Sequence, residues 1–487
     1  MERLQNLLND RRIGLVVLTI VAAIAAGLSG LVYPSDYAPL IVLGGCLLLV
    51  VVCLYMWKPE LALYTTLFVI LLPAGLIPPN YQSLLNRFMT LLTFGLWCLD
   101  LVFRRRKVIL TTSSILMLGF ILWGGVTIFW AESMSSALTS IQVYIMRCLL
   151  FLVLIPNQIN TREKLDNLLK IVTLVGWILV ISSAMTLLQQ GYTPGTRFKL
   201  LDANENAIGT LALVASLGVL WLATHQSRPN QFPTNVLTFF YIIFMIGLIG
   251  ISGSRGSILS LVIALLAFSY WRSTRRWAKL SLAIILVILV IAPMTFLTTF
   301  ERFTNSSSDN LAQLGGRTAL WHAASQVILA HPFGGVGIGG SSYAILPYLW
   351  MVSMAVGRDS VAVHNPILTV WSETGIIGLV LYLGVLGYAI WSFISQYYRY
   401  KKLDIQRKFI SYYPLVGSIF LGYMASWIKG GGAQADHTYF LLLALLLIPS
   451  SLDSNQVIQK NNDNAQQLII TPCDSEDRQG KLKPNHC

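Results

Sequence analysis

Runs of about twenty apolar residues follow one another along most of this chain, and no other feature restricts its fold as tightly. A bilayer core about 30 Å thick is crossed by roughly 20 apolar residues in a helix. Such segments lie near 13–33, 38–57, 60–78, 85–103, 113–130, 137–156 and 165–188, then near 204–223, 234–253, 256–271, 278–298, 366–396, 410–428 and 437–450. Only 11% of the 487 residues are charged, against about 25% in soluble domains, so lipid is the expected solvent. The expected fold is all-α: a polytopic transmembrane helical bundle of about 12–14 spans. The weakest are the proline-containing stretch that ends at Pro78 and Pro79, the short run 256–271 and the short last one.

The net charge of +13 is a topology signal, not a sign of nucleic-acid binding, because the basic residues lie between apolar runs. Cytoplasmic segments retain Lys and Arg during insertion. With the N-terminus inside, cytoplasmic segments hold 24 of them against 8 outside, including Arg104, Arg105, Arg106 and Lys107 in one loop and Arg272, Arg275, Arg276 and Lys279 in another. Both termini are therefore expected in the cytoplasm, with the chain in the inner (plasma) membrane. The first run, after Arg11 and Arg12, reads as an uncleaved anchor. Cys46, Cys53, Cys98 and Cys148 fall in apolar runs and Cys473 and Cys487 in the polar tail, so neither a disulfide framework nor a metal knuckle is expected.

The organisation read from the sequence is an N-terminal transmembrane region (1–189), a second membrane domain (190–450) and a disordered cytoplasmic tail (451–487). The tail is rich in Asn, Gln and Asp. The second domain contains one long outer loop, about 299–365, whose Leu311, Leu314, Ala319, Leu320, Ala323, Val327 and Ile328 approximate a helical stripe. A glycine-rich stretch, His331-Pro-Phe-Gly-Gly-Val-Gly-Ile-Gly-Gly340, follows and reads as a flexible turn rather than a nucleotide cradle, since no strand precedes it.

Six of the eight outer basic residues are arginine, whose planar fork grips phosphate oxygens in pairs. Anchoring among lipid head groups is the alternative for any one of them. Arg255 sits in Ser252-Gly-Ser-Arg-Gly256, a reversal tight enough to leave backbone N–H groups, beside Ser254, for an anion. Arg317, in Gly315-Gly-Arg-Thr-Ala-Leu-Trp321, is placed at the start of the loop helix, where helix-end donors share its anion. Arg197 precedes Asn204 and Asn206, which equally serve as helix caps. His364 and Asn365 stand before Pro366 at the outer boundary, and an imidazole there can take a proton from a hydroxyl near neutral pH; a structural histidine is the plainer reading. Glu373, about two turns into the following span, needs a partner in lipid, for which Arg255 is the candidate. His437 borders the last span and is a weaker possibility. Asp202 with Glu205 comes nearest to an outer acidic pair, but capping explains it as well, and no metal is expected at the site.

Four blocks in order carry a family resemblance: Ser252-Gly-Ser-Arg-Gly-Ser257, Gly316-Arg-Thr-Ala-Leu-Trp321, Pro332-Phe-Gly-Gly-Val-Gly337, and His364-Asn-Pro-Ile-Leu-Thr-Val-Trp-Ser-Glu-Thr-Gly-Ile-Ile-Gly-Leu379. Over roughly residues 190–430 the chain resembles the O-antigen ligase and O-antigen polymerase superfamily of bacterial envelope glycosyltransferases. The resemblance implies transfer of a glycan from a polyprenyl diphosphate carrier to an acceptor hydroxyl at the periplasmic face, without metal or cofactor. Arg255 and Arg317 would hold the diphosphate and His364 would activate the acceptor. Arg197, Ser254, Asn365 and Glu373 are the further substrate-binding candidates. The expected partners are the bilayer, the lipid-linked glycan and a glycolipid or glycan acceptor. Two other readings stay open: a polysaccharide polymerase of the same superfamily, and a transporter of a solute such as an inorganic anion. The latter would show broken or charged helices meeting near the bilayer midplane and an internal repeat, and no repeat is visible in the sequence.

Overall fold

A computed structural model describes residues 55, 58–73, 76–77, 79–104, 108–191, 198, 200, 205–225, 232–252, 254–270, 308–349, 360–403, 412–430 and 436–449. The spans expected at 13–33 and 278–298, that at 38–57 except Tyr55, the tail 451–487 and Arg197 lie outside them.

The described residues are helical, with no strand among them. The helices are α1 (Pro59–Leu71), α2 (Pro79–Arg104), α3 (Thr112–Thr127), α4 (Met134–Gln158), α5 (Arg162–Gln190), α6 (Glu205–His225), α7 (Phe232–Ile251), α8 (Arg255–Tyr270), α9 (Ser308–Ala330), α10 (Pro366–Leu403), α11 (Tyr412–Gly430) and α12 (His437–Pro449). Within this set α2, α3 (extended to Trp130), α4, α5 and α10 are long and apolar enough to cross a membrane, and five shorter apolar helices accompany them. This is a multi-pass membrane protein. Boundaries come from local chemistry. Thr111, Ser133 and Thr161 each accept a backbone N–H at the start of α3, α4 and α5, the usual N-cap device. Gly191, with φ +69°, ends α5.

Packing fixes the relative direction of the elements that matter. α3 runs antiparallel to the first part of α10: Trp123 faces Gly378, Gly119 faces Leu381 and Leu116 faces Gly384. At the far end of α10, the rings of Phe393, Tyr397 and Tyr400 meet Tyr413 at the start of α11. α11 therefore returns toward the Pro366 end. Its close partner is α8: Gly422 lies against the backbone of Ser260, and Gly256 lies near Ser426. The start of α8, which carries the Ser252–Ser257 motif, thus lies at the same end of the bundle as His364. Had the two been at opposite ends, no common pocket could form.

Candidate functional site

The site is assembled on a small layer at that end. Leu320, Ala323, Ala324 and Val327 of α9 pack against Ile345, Leu349 and Val363 in an apolar cluster separate from the main core. The helix expected in the long loop is therefore present, but it begins at Ser308. Arg317 is its tenth residue, not its first. The anion site formed from helix-end donors at Arg317 is corrected accordingly: mid-helix N–H groups are already bonded to preceding carbonyls, so the guanidinium acts there without them.

The glycine-rich stretch is likewise not a flexible turn. It is pinned to α3, α4 and α10 by a set of hydrogen bonds. Val336 N–H donates to Ser372 O at 2.9 Å and Ile376 N–H to Pro332 O at 2.9 Å. Ile338 N–H donates to Thr127 Oγ1 at 3.1 Å, and Trp130 Nε1 and Ser136 Oγ donate to the carbonyls of Gly335 and Gly339 at 3.1 and 2.9 Å. Gly335, Gly337 and Gly339 all adopt left-handed φ, between 66° and 92°. At Gly337 a Cβ would come within 2.4 Å of Ala131 Cα, so only glycine lets the two backbones touch.

This loop fits into a break in α10. Gly375 has φ 65° and ψ −168°, which divides α10 into a nine-residue leading helix, Pro366 to Thr374, and a longer trailing one. A Cβ at Gly375 would lie 1.9 Å from Phe333 O. The interruption frees backbone groups that an unbroken helix would pair, and the loop and Trp123 take them up: Trp123 Nε1 donates to Thr374 O at 2.8 Å. Non-helical backbone inside a membrane protein is tolerated where protein satisfies it.

Glu373, two residues before Gly375, is 2% exposed. It accepts Ser341 Oγ–H at 2.7 Å and the backbone N–H groups of Gly339 and Ser341. These donors come from the glycine-rich loop; the Arg255 side chain, the partner expected from the sequence, lies outside the described residues. These contacts give Glu373 a structural duty. Asn365 also has a structural duty, its Oδ1 accepting Ile367 N–H at 3.0 Å and Leu368 N–H at 3.1 Å as the cap of α10. Ser254 is buried and caps α8, its Oγ accepting from Ser257 N–H and Ser257 Oγ–H at 3.3 and 3.0 Å. Arg255 is the first residue of α8; its side chain lies outside the described residues.

His364 is the one non-glycine residue with positive φ (56°) among those described. That conformation costs a non-glycine residue of order 1–3 kcal/mol and persists only where neighbours enforce it. Here the chain before it is held by Val361 N–H on Ser342 O at 3.0 Å and by buried Val363, and the chain after it by the Asn365 cap. The imidazole reaches solvent. Partial withdrawal from water and then the Arg317 guanidinium hold its pKa below the ordinary histidine value. It is therefore neutral, with a lone pair to accept a proton, at neutral pH. Structure thus brings Arg317 and His364 into electrostatic contact although 47 positions separate them.

The family model described as O-antigen ligase matches residues 240–383. The chain carries a domain of the O-antigen ligase superfamily. The match encloses the α7–α8 turn, Arg317, the glycine-rich loop, His364 and the Gly375 break, which is the whole site apart from Arg197. No curated protein matches the chain.

Sequence reasoning missed the anchors of the O-antigen ligase domain that come from α3 and α4. Trp123, Trp130, Thr127 and Ser136 hold the loop from outside the matched segment. Tryptophans near a span's end read by themselves as interfacial anchors, so nothing local distinguishes these. Ser341 was legible only as the residue after a glycine run.

Proposed function

We propose that the protein is a glycosyltransferase of the membrane that moves a glycan from a polyprenyl diphosphate to an acceptor hydroxyl at the end of the bundle carrying His364, the face expected to be periplasmic. What supports this reading is a solvent-reaching His364 on which the charge of Arg317 acts, with the Ser254-capped start of α8 at the same end of the bundle. In the step proposed, His364 takes the acceptor hydroxyl proton as the oxygen attacks the anomeric carbon, and the bond to the diphosphate oxygen breaks. Arg317 and Arg255 stabilise the negative charge that grows on the leaving diphosphate. Fixed guanidinium groups at a partly dry site do this without reorganising at the moment of reaction, and in this reading they stand in place of a metal ion. The bilayer delivers the lipid-linked donor sideways, and the polar acceptor arrives from solution.

A carrier for an inorganic anion fits less well. A broken helix serves transport when its freed backbone groups face a passage, whereas the groups freed at Gly375 are bonded to Pro332 and Trp123. Ligase and polymerase differ only in the acceptor. In vitro transfer from a polyprenyl-diphosphate glycan, with and without chelator, tests the reading: turnover that survives chelator is expected. Absence of transfer together with uptake of labelled anion into liposomes would replace it. Envelope extracts of a deletion strain separate the two acceptors, since loss of a ligase leaves full-length chains on the carrier and loss of a polymerase leaves single-repeat capping without long chains.

A further inference from the structure

We propose that Glu373 is the positioning residue of this site: buried behind the glycine-rich loop, it fixes where Arg317 and His364 stand relative to one another without touching substrate. The inference rests on the reading of His364 as the base.

The geometry is a short chain of contacts. Arg317 rides on α9, which runs directly into the loop 331–340. The loop ends at Gly339, Gly340 and Ser341, and Glu373 holds this end through Ser341 Oγ and two backbone N–H groups. Ser341 adjoins Ser342, whose carbonyl receives Val361 N–H at 3.0 Å. Three residues on from Val361 is His364, in its left-handed conformation. On the other side, Glu373 belongs to the nine-residue leading helix of α10 that begins two residues after His364 and is capped by Asn365. One carboxylate therefore ties together the trailing end of Arg317's element and both flanks of His364. The apolar cluster of α9 with Ile345 and Val363 alone would let these parts slide, because apolar contacts are non-directional; hydrogen bonds to a buried carboxylate are directional and hold one register. The break at Gly375 completes the device. By ending the leading helix just after Glu373, it lets that helix and the loop close on each other as a unit.

The test uses the full-length protein in nanodiscs, as wild type, Glu373→Gln, Glu373→Ala and Ser341→Ala. Histidine-labelled samples give the titration of His364 by NMR, its signal identified by loss in His364→Gln. Burial and then the Arg317 guanidinium hold the His364 midpoint down, so loosening the clamp should move it upward toward that of free histidine. The expected order is Glu373→Ala largest, then Glu373→Gln, whose amide oxygen still accepts one bond, then Ser341→Ala. Transfer should fall by about 10²-fold in Glu373→Ala, the scale of a misplacement near 1 Å, with the acid limb of its pH profile moving up alongside the NMR midpoint. A folded Glu373→Ala protein whose His364 titration matches wild type overturns the proposal. Should Glu373→Ala not fold, Ser341→Ala decides in the same way by its titration. If wild-type protein shows no transfer while the titration still moves, the glycosyltransferase reading falls and the positioning role stands.

Discussion

Glu373 and Arg147 are both ionisable side chains buried on apolar helices, 2% and 7% exposed, and the fold treats them in opposite ways. Around Glu373 the donors are supplied by the loop, with Ser341 Oγ–H at 2.7 Å. Around Arg147, in α4, partners are fewer: the Asp436 carboxyl acts on its charge and His437 stands beside it. Its Nη2 stands 3.4 Å from His437 Nε2, its Nε has no acceptor, and the buried Tyr144 hydroxyl, Trp427 Nε1 and His437 Nδ1 are also without hydrogen-bond partners. The helix itself is loosened there, since Cys148–Leu154 is wound as a π-helix directly after Arg147. Unpaired buried donors each cost about 1–3 kcal/mol. Burial of a charge therefore says little about order; the supply of complementary partners decides it. The site stands on the satisfied region, where backbone N–H groups from a glycine loop could be brought to a carboxylate.

The largest effect should come from wedging the satisfied region open. Gly375→Ala must push Phe333 O away from a contact of 1.9 Å, and a left-handed φ adds about 1–2 kcal/mol. The expected result is severe loss of folded protein and of transfer, read by fluorescence-detected size exclusion and by the transfer assay. Gly337→Ala should act in the same direction through its 2.4 Å approach to Ala131; a Gly337→Ala protein as stable as wild type would mean that the loop is not pinned.

Next comes chemistry with the scaffold intact. His364→Ala and Arg317→Ala are expected to keep folding yet lose transfer by about 10²–10⁴-fold. In wild type, transfer should need the neutral imidazole: it is flat above the lowered midpoint and falls as pH drops through it, so the acid limb lies below the ordinary histidine range. A limb at or above that range would show that burial and the Arg317 charge do not hold the His364 midpoint down. A fully active His364→Ala protein would remove the proposed base.

Smaller effects sharpen the contrast. Asn365→Ala deletes the cap of α10 and should cost about 1 kcal/mol, seen as a modest drop in detergent melting temperature. Tyr144→Phe should change stability by less than about 0.5 kcal/mol, because the lost hydroxyl has no partner to leave behind. A large loss there would mean that the Tyr144 hydroxyl has a task of its own.

The sequence by itself determined the solvent, the helical class and the positions of most described elements. The runs read near 113–130, 137–156, 165–188 and 366–396 correspond to Thr112–Trp130, Met134–Gln158, Arg162–Gln190 and the long α10. Hydropathy over a window of twenty residues is a local property, and lipid responds to it directly. Spacing of chemical types also singled out His364, Arg317 and Arg255, because a histidine and arginines at the ends of apolar runs are costly without a task. Only the tertiary structure decided that the glycine-rich stretch is rigid, that α10 is broken at Gly375, that Arg317 lies within a helix, and that Glu373 is bound by Gly339 and Ser341. Apart from the helix around Arg317, each of these depends on hydrogen bonds between groups far apart in the chain, such as Ser341 with Glu373, 32 positions, and Trp123 with Thr374, 251 positions. A glycine in an apolar run looks the same whether it continues a helix or ends one. The distinction comes from which backbone folds against it, and that is set by packing, not by composition.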